Sequence, residues 1–331
     1  MGDLALVIIG IIIALLFDFG NGLNDAANAI STVVATKVLS LRAAALLSAF
    51  FNFVAAFFFT TAVAKTIGTG LIDTNFVTVP MVLSGMVGAI AGVYLATYLG
   101  LPISASHSLI GGFIGAAILV GGFKILILSG IIIVLIFIFA APIIGLIGAT
   151  LFSLFVLWIF RRSRPHKLDK YFKRLQLISA SLFSLSHGAN DAQKTIGVIT
   201  LLLYSGGFLR TFNVPYWVII ASYLTIGLGT LIGGRKVIRT MGLRLTKLKP
   251  VNGFCAETSG MLTIVFCSLF GVPVSTTHVI SGSIVGVGLV KRATAVRWYI
   301  ARNIVWAWII TIPFSAIAGA ATYSILDLSI L

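Results

Sequence analysis

The sequence predicts an all-α polytopic membrane protein made of two inverted-topology repeats. It has broken helices and two short runs that either cross the bilayer or enter it as re-entrant helical hairpins. Three observations predict it. The chain is 59% hydrophobic and only 9% charged, with a mean hydropathy of +1.12. Its Lys and Arg gather in a few segments between apolar runs. Two polar motifs, each embedded in apolar sequence, occur twice in the same order.

Hydropathy comes first. A 331-residue chain of this composition is made of stretches able to cross a bilayer, which takes about 20 apolar residues per helix. Runs lie at about 4–17, 43–64, 76–99, 103–121, 125–160, 175–185, 195–209, 214–233, 251–270, 273–290 and 298–326. No room is left for a sizeable soluble domain. The first run is not expected to be a signal peptide, because Asp3 stands where a basic n-region would and no small-x-small cleavage site follows. Cys255 and Cys267 are 12 residues apart on one run, about 18 Å of helical rise and too far for a disulfide. Both are expected to be small buried side chains.

The basic residues give the orientation. Residues 161–174 hold seven, 235–249 six, 291–302 four and 37–42 two, together 19 of the 23 Lys and Arg. A formal charge of +15 invites a nucleic-acid partner. Cytoplasmic loops of a membrane protein collect such charge without one, so no nucleic acid is expected. With all four segments cytoplasmic, each half makes an odd number of passes and both termini lie outside the cell membrane. Only Lys65, Lys124 and Arg210 then fall on outer loops. The divisions are 1–160 as the first transmembrane repeat, 161–174 as a basic cytoplasmic linker and 175–331 as the second, inverted repeat.

The duplication supports that division. "NGLNDAANAI" (21–30) aligns with "HGANDAQKTI" (187–196) at an offset of 166, and "GLPISASHSLIGGFIG" (100–115) with "GVPVSTTHVISGSIVG" (271–286) at an offset of 171. A shorter echo, "SGM", occurs at 84–86 and 259–261. Odd-pass halves sit upside down to each other, the architecture of many secondary transporters with a midplane site between repeats.

Each motif has its own chemistry. Asp18, Asp25, Asp191 and Glu257 fall within membrane-depth elements, where an unpartnered carboxylate costs at least about 2.5–3.5 kcal/mol. Gly20, Gly22 and Gly188 flank the Asn-Asp pairs and are expected to let the helix unwind there. Carbonyls freed by such a break, with Asn24, Asp25, Asn28, Asn190 and Asp191, form oxygen-rich sites for a hard monovalent cation or a proton. The same residues are equally suited to cap the second half of each broken helix. Glu257 is a further cation or proton ligand candidate, and Asp18 a residue that ends the first half-helix.

The second motif is complementary. In "PISASH" (102–107) and "PVSTTH" (273–278), Pro and hydroxyl residues precede an apolar run, as at a capped helix start. Such a start offers free N–H groups and partial positive charge to an anion. Ser104, Ser106, Ser275, Thr276 and Thr277 add hydroxyl donors, and two such starts facing each other could wrap a tetrahedral oxyanion; two capped helices and nothing more is the bland alternative. His107 and His278, equivalent by repeat, either donate to the anion, relay protons or hydrogen-bond backbone where the half-helices meet. Lys194 either touches the anion or neutralises Asp25 or Asp191. Gly111, Gly112, Gly115, Gly282 and Gly286 are expected to permit close helix packing.

At these residues the sequence resembles the inorganic phosphate transporter (PiT) family, whose signature is a duplicated GANDxANA-like segment, here "GNGLNDAANAI" and "HGANDAQKTIG". The resemblance covers essentially the whole chain. It implies cation-coupled symport of inorganic phosphate, with the anion held at the hydroxyl-rich helix starts and the cation, Na+ or H+, at the Asn-Asp segments. Matching the motifs carries over Asn24, Asp25, Asn190, Asp191, Ser104, Ser106, Ser275 and Thr277, with Na+ expected at the first four. The copies differ: Asn21 stands against His187, and Ala27-Asn28 against Gln193-Lys194, so the site is only pseudo-symmetric. The short basic central loop points to a compact prokaryotic-type transporter.

Other classes fit less well. An intramembrane hydrolase would not need every Ser, His and Asp candidate twice, so no enzyme is expected. A sulfate permease on the same fold is the alternative, but H₂PO₄⁻ can donate to Asp25 or Asp191 and sulfate cannot. No cofactor is expected beyond the coupling ion; the partners are phosphate, that cation, the lipid bilayer and a second copy as a homodimer.

Overall fold

The computed structural model of the chain describes residues 2–58 and 60–330. The side chains of residues 2, 3, 165, 329 and 330 lie outside this description, so Asp3, expected at an outer end, is not placed. Twelve α-helices carry the described residues, and no strand is found among them. In the first half they are α1 (Gly2–Ala35), α2 (Leu41–Val54), α3 (Ala62–Thr69), α4 (Val79–Leu99), α5 (Ala105–Gly121) and α6 (Leu128–Ile159). In the second they are α7 (Pro165–Ser205), α8 (Tyr216–Ile232), α9 (Arg235–Arg239), α10 (Pro250–Leu269), α11 (Thr276–Leu289) and α12 (Trp298–Ile330).

Local chemistry sets many of the boundaries. The Ser40 hydroxyl accepts from the Ala43 N–H at 3.3 Å and starts α2; Thr78 does the same for α4 through Met81. Prolines open α7 and α10, where the missing N–H has no helical partner to lose. α4 ends at Gly100 with φ 74, the left-handed closure that glycine adopts without a Cβ penalty.

The expected break at the Asn-Asp segments does not occur: α1 and α7 run through both without interruption. The glycines serve close approach instead. A Cβ on Gly22 would strike the backbone of α8 at Ile226 and Gly229, and one on Gly188 the backbone of α2 at Asn52. With the neighbouring helix filling that space, the intrahelical hydrogen bonds stay; unwinding would strand buried backbone groups. Helices break elsewhere, by 83° between the α2 and α3 segments and by 64° between α8 and α9. At the second, Gly233 has φ 60 and the Gly234 N–H donates to the Leu23 carbonyl at 2.7 Å. The basic stretch at 161–174 is also mostly helical, since α7 begins at Pro165; exposed charged side chains solvate without disturbing its backbone.

Side-chain placement is that of a protein in lipid. On α6 the buried residues are small or slender, among them Ala141, Gly145, Ala149 and Ser153. Ile136, Phe139, Ile143, Ile147 and Leu151 face outward. Lipid tails solvate such residues as well as a core would, so small residues at the contacts decide the packing. Among the described residues, four helices are long and apolar enough to cross a membrane, or up to six if each bent pair is one span. Cys255 and Cys267 are buried free thiols, as expected.

Two apolar cores fill the interior. One gathers Val7, Phe17, Ile67, Met86, Phe113 and Leu202; the other Ile30, Phe172, Phe183, Met241, Ile280 and Trp308. α1 enters the first and leaves through the second, whereas α7 takes them in the reverse order. The switch falls between Phe17 and Ala26 in α1 and between Phe183 and Leu185 in α7, so each Asn-Asp motif begins within about one helical turn of where the cores meet.

The element order of the first half recurs in the second. Each half has a long helix, a bent pair, a helix of 20 or 21 residues, a short buried helix and a long helix containing a proline, Pro142 or Pro313. The short helices are exchanged: Gly111 and Gly115 of α5 lie against the backbone of α12, and Gly282 and Gly286 of α11 against that of α6, the close packing expected of them. At 17 and 14 residues, α5 and α11 rise about 25 Å and 21 Å, short of the roughly 30 Å hydrocarbon layer.

Candidate functional site

Helical spacing puts Asn24, Asp25 and Asn28 on one stretch of α1, and Asn190, Asp191 and Lys194 on one stretch of α7; all are at most 2% exposed. The two asparagines do matching work. Asn24 Nδ2 donates to the Leu101 carbonyl at 3.2 Å and to Thr97 Oγ1 at 3.0 Å, while Asn190 Nδ2 reaches the Val274 carbonyl at 3.5 Å. Each thereby holds the extended segment that leads into a short helix, α5 or α11.

The start of α11 completes a shared cluster. Thr276 Oγ1 lies 3.3 Å from Asp25 Oδ2 and 3.2 Å from Asp191 Oδ2, so one hydroxyl sits between carboxylates from both motifs. Thr277 Oγ1 donates to Asp25 Oδ1 at 3.2 Å. Asn28 Nδ2 donates to Thr277 Oγ1 at 2.9 Å and to Thr276 Oγ1 at 3.3 Å. Lys194 Nζ stands 2.5 Å from Asp191 Oδ1, and His187 Nε2 3.2 Å from Asp191 Oδ2.

Several acceptors in this region are left over. Asn24 Oδ1, Asn28 Oδ1 and Asn190 Oδ1 are buried without a hydrogen-bond partner among the described residues, as is Ser106 Oγ at the start of α5. A buried unsatisfied polar group costs about 1–3 kcal/mol, and folded proteins rarely keep several together. Such oxygens suit a cation, or the protonated oxygens of an oxyanion. Asp25, His187 and Asp191 also present ligand atoms all within 4.8 Å of one another.

The two hydroxyl-rich starts are not used equally. Ser104 and Ser275 cap their own helices, accepting from the N–H groups of His107 at 3.2 Å and His278 at 3.3 Å. The histidines meet each other edge to face, with ring centroids 4.6 Å apart. His278 stacks on Trp308 at 3.7 Å, and its Nδ1 lies 3.2 Å from the Ile138 carbonyl. The rings therefore lie where the short helices meet, with Trp308 donating to the Pro102 carbonyl at 3.1 Å.

Glu257 is not brought to this cluster. It accepts from Thr32 Oγ1 at 2.6 Å and Gln176 Nε2 at 2.9 Å, and Ser179 donates to its second oxygen. The positions matching Gln176 and Thr32 at an offset of 166 are Gly10 and Val198, so this polar set, drawn from both halves, is not repeated. Asp18, expected to end a half-helix, is buried inside α1.

Sequence reasoning missed Asn52, which lies 3.2 Å from His187 Nδ1 and donates to Thr230 at 2.9 Å. An Asn between Phe51 and Phe53 was the available signal. Replacing Asn52 with Ala takes the partner from His187 Nδ1, while Thr230 keeps its bond to the Ile226 carbonyl, and a loss of about 1–3 kcal/mol is expected; thermal unfolding in detergent measures it.

Comparison with known proteins agrees with this architecture. A model of the phosphate transporter family matches residues 21–319. A probable low-affinity inorganic phosphate transporter of Rhizobium meliloti (strain 1021) is 47% identical over 324 residues, covering 97% of each chain. One of Bacillus subtilis (strain 168) is 43% identical over 329 residues, covering 98% of each. A solved structure described as the sodium-dependent phosphate transporter has a TM-score of 0.89 over 98% of this chain and 99% of its own, at 24% identity, which speaks to the fold. The chain belongs to the phosphate transporter family, as a multi-pass membrane protein and a transporter rather than an enzyme.

Proposed function

We propose that this chain imports inorganic phosphate by symport with a cation, Na+ or H+, through alternating access to the buried cluster between the two cores. The observation that carries the reading is Thr276 held between Asp25 and Asp191, which joins both Asn-Asp motifs to the start of one short helix. In this reading Ser104, Ser106, Ser275, Thr276, Thr277 and Lys194 hold the anion, with His107 and His278 behind them. Asn24, Asp25, Asn28, Asn190 and Asp191 hold the cation, and Glu257 serves as a separate cation or proton ligand. H₂PO₄⁻ donates protons to the carboxylates and accepts from the hydroxyls and the ammonium, which suits phosphate better than sulfate.

The halves, 1–160 and 175–331, are taken as inverted repeats, supported by the reversed order in which α1 and α7 traverse the cores. Both termini are then extracytoplasmic and the basic segments cytoplasmic. The relatives' descriptions as inorganic phosphate transporters and the structural neighbour's as sodium-dependent support substrate and coupling. The outward apolar faces suit lipid or a second copy.

Uptake of radiolabelled phosphate into proteoliposomes tests this, with an imposed Na+ or H+ gradient. Asp25→Asn is expected to lower uptake about 10- to 100-fold, the worth of a charge-assisted hydrogen bond of about 1.5–3 kcal/mol. Normal accumulation by Asp25→Asn under either gradient overturns the cation assignment. Sulfate competing better than phosphate overturns the substrate.

A further inference from the structure

The fold builds one loop pair twice. In the first half the backbones of Ile72 and Leu126 bridge, followed in space by a short 3₁₀ turn at Phe123–Ile125; in the second half Thr246 and Val296 bridge beside the turn Ala293–Ala295. The first copy carries Asp73 and Lys124, which balance. The second carries Lys247, Lys249, Lys291, Arg292 and Arg297 and no acid. These five residues line one concavity of about 730 Å³. All are exposed, and among the described residues none is ion-paired.

The bowl is organised. Lys291 Nζ donates to the Lys247 carbonyl at 3.0 Å, tying one wall to the other. The Thr246 hydroxyl donates to the Ala295 carbonyl at 2.9 Å. Partial loss of hydration, and then the charge of Lys249 close by, push the Lys291 ammonium below its ordinary range; an anion relieves both. A cytoplasmic excess of basic residues accounts for their number; it does not account for their convergence on one concavity.

An apolar groove of about 190 Å³ adjoins the bowl. It runs between α6, α11 and α12 over Ile143, Leu146, Val285, Val305 and Trp308. The two are joined at Leu245, which lines the groove and accepts from the Arg297 N–H at 3.0 Å. They are joined again at Trp298, a groove residue whose indole N–H donates to the Ala293 carbonyl at 3.0 Å. A ring fixed at that junction, with a charged bowl on one side and hydrocarbon on the other, matches the level of a lipid's glycerol.

We propose that this bowl and groove bind an anionic phospholipid, its phosphate headgroup among Lys247, Lys249, Lys291, Arg292 and Arg297 and one acyl chain along the groove. A free anion would need only the bowl. The groove supplies the reason to choose a lipid, and basic pockets between membrane helices hold such headgroups elsewhere.

Native mass spectrometry of the delipidated full-length protein tests this, with phosphatidylglycerol and phosphatidylcholine of equal chain length added in turn. At least a tenfold preference for phosphatidylglycerol is expected. Lys247→Gln, Lys291→Gln and Arg292→Gln together should weaken it about 100-fold, from about fivefold per basic residue. The same number of changes at Arg161, Arg162 and Arg164 should leave it within about twofold. Ala301→Phe, which fills the groove and keeps the charges, should weaken phosphatidylglycerol binding and leave glycerol phosphate binding unchanged. Equal binding of the two lipids, or a triple bowl variant with wild-type affinity, overturns the proposal. So does glycerol phosphate binding as tightly as the whole lipid, which would make this a site for a soluble anion.

Discussion

Replacing Lys194 with Met is expected to destabilise the protein by about 3–5 kcal/mol, and the double variant Lys194→Met with Asp191→Asn to recover most of that loss without recovering transport. The side chain is 1% exposed and its ammonium lies 2.5 Å from Asp191 Oδ1. Removing one partner of a buried pair leaves an uncompensated charge, whereas removing both together is often close to neutral. Thermal unfolding of the four proteins of this cycle gives the coupling directly. Phosphate uptake by the same four separates the roles: the double variant folds but lacks one carboxylate and the one ammonium of the cluster. A Lys194→Met protein as stable as wild type would show that the pair does not hold α7's polar face in place. A double variant that transports normally would remove Lys194 and Asp191 from the site.

The second large effect concerns backbone contact. Gly188→Leu is expected to yield no folded protein, and Gly188→Ala to cost about 1–3 kcal/mol, the usual penalty of overpacking. A Cβ at this position would lie 2.7 Å from the Asn52 carbonyl oxygen and 2.8 Å from its Cα. The obstacle is the α2 backbone, which yields only if the helices separate. Separation would carry Asn190 and Asp191 away from the start of α11. Gly20→Ala is expected to cost less, because there the added carbon meets the ring of Tyr94, a side chain rather than backbone, whose shift would give up at most its hydrogen bond to the Leu16 carbonyl. Size-exclusion profiles and unfolding midpoints rank the variants. Were the glycines present to unwind the helix, Gly188→Ala would instead stabilise it by up to about 1 kcal/mol, since Ala propagates a helix better.

That contrast marks where sequence reasoning stopped. The doubled Asn-Asp and Ser/Thr-His segments were legible because charge and hydroxyl groups are costly in lipid and stand out against an apolar background. Their helical starts were legible too, since Ser104 and Ser275 cap their own helices as spacing alone suggests. The unbroken course of α1 and α7 was not. A glycine in a helix permits either a break or a close neighbour, and only the presence of α2 and α8 decides. Glu257 was rightly singled out as buried, yet its partners Thr32, Gln176 and Ser179 lie 225, 81 and 78 positions away. Asn52 stood within an apolar run and gave only the signal of its own polarity.

By itself, then, the sequence determined what is written in local solvation: an all-helical membrane protein, the order of its apolar runs, the segments kept in water and the two motifs too polar to be idle. Tertiary structure alone decided which of those motifs touch. Thr276 reaches Asp25 across 251 positions and Asp191 across 85, while its repeat counterpart is Ala105, which has no hydroxyl to offer. Hydropathy is a property of each residue and its neighbours along the chain. A contact across the bilayer is fixed by how helices cross, and that is set by small residues on several elements at once.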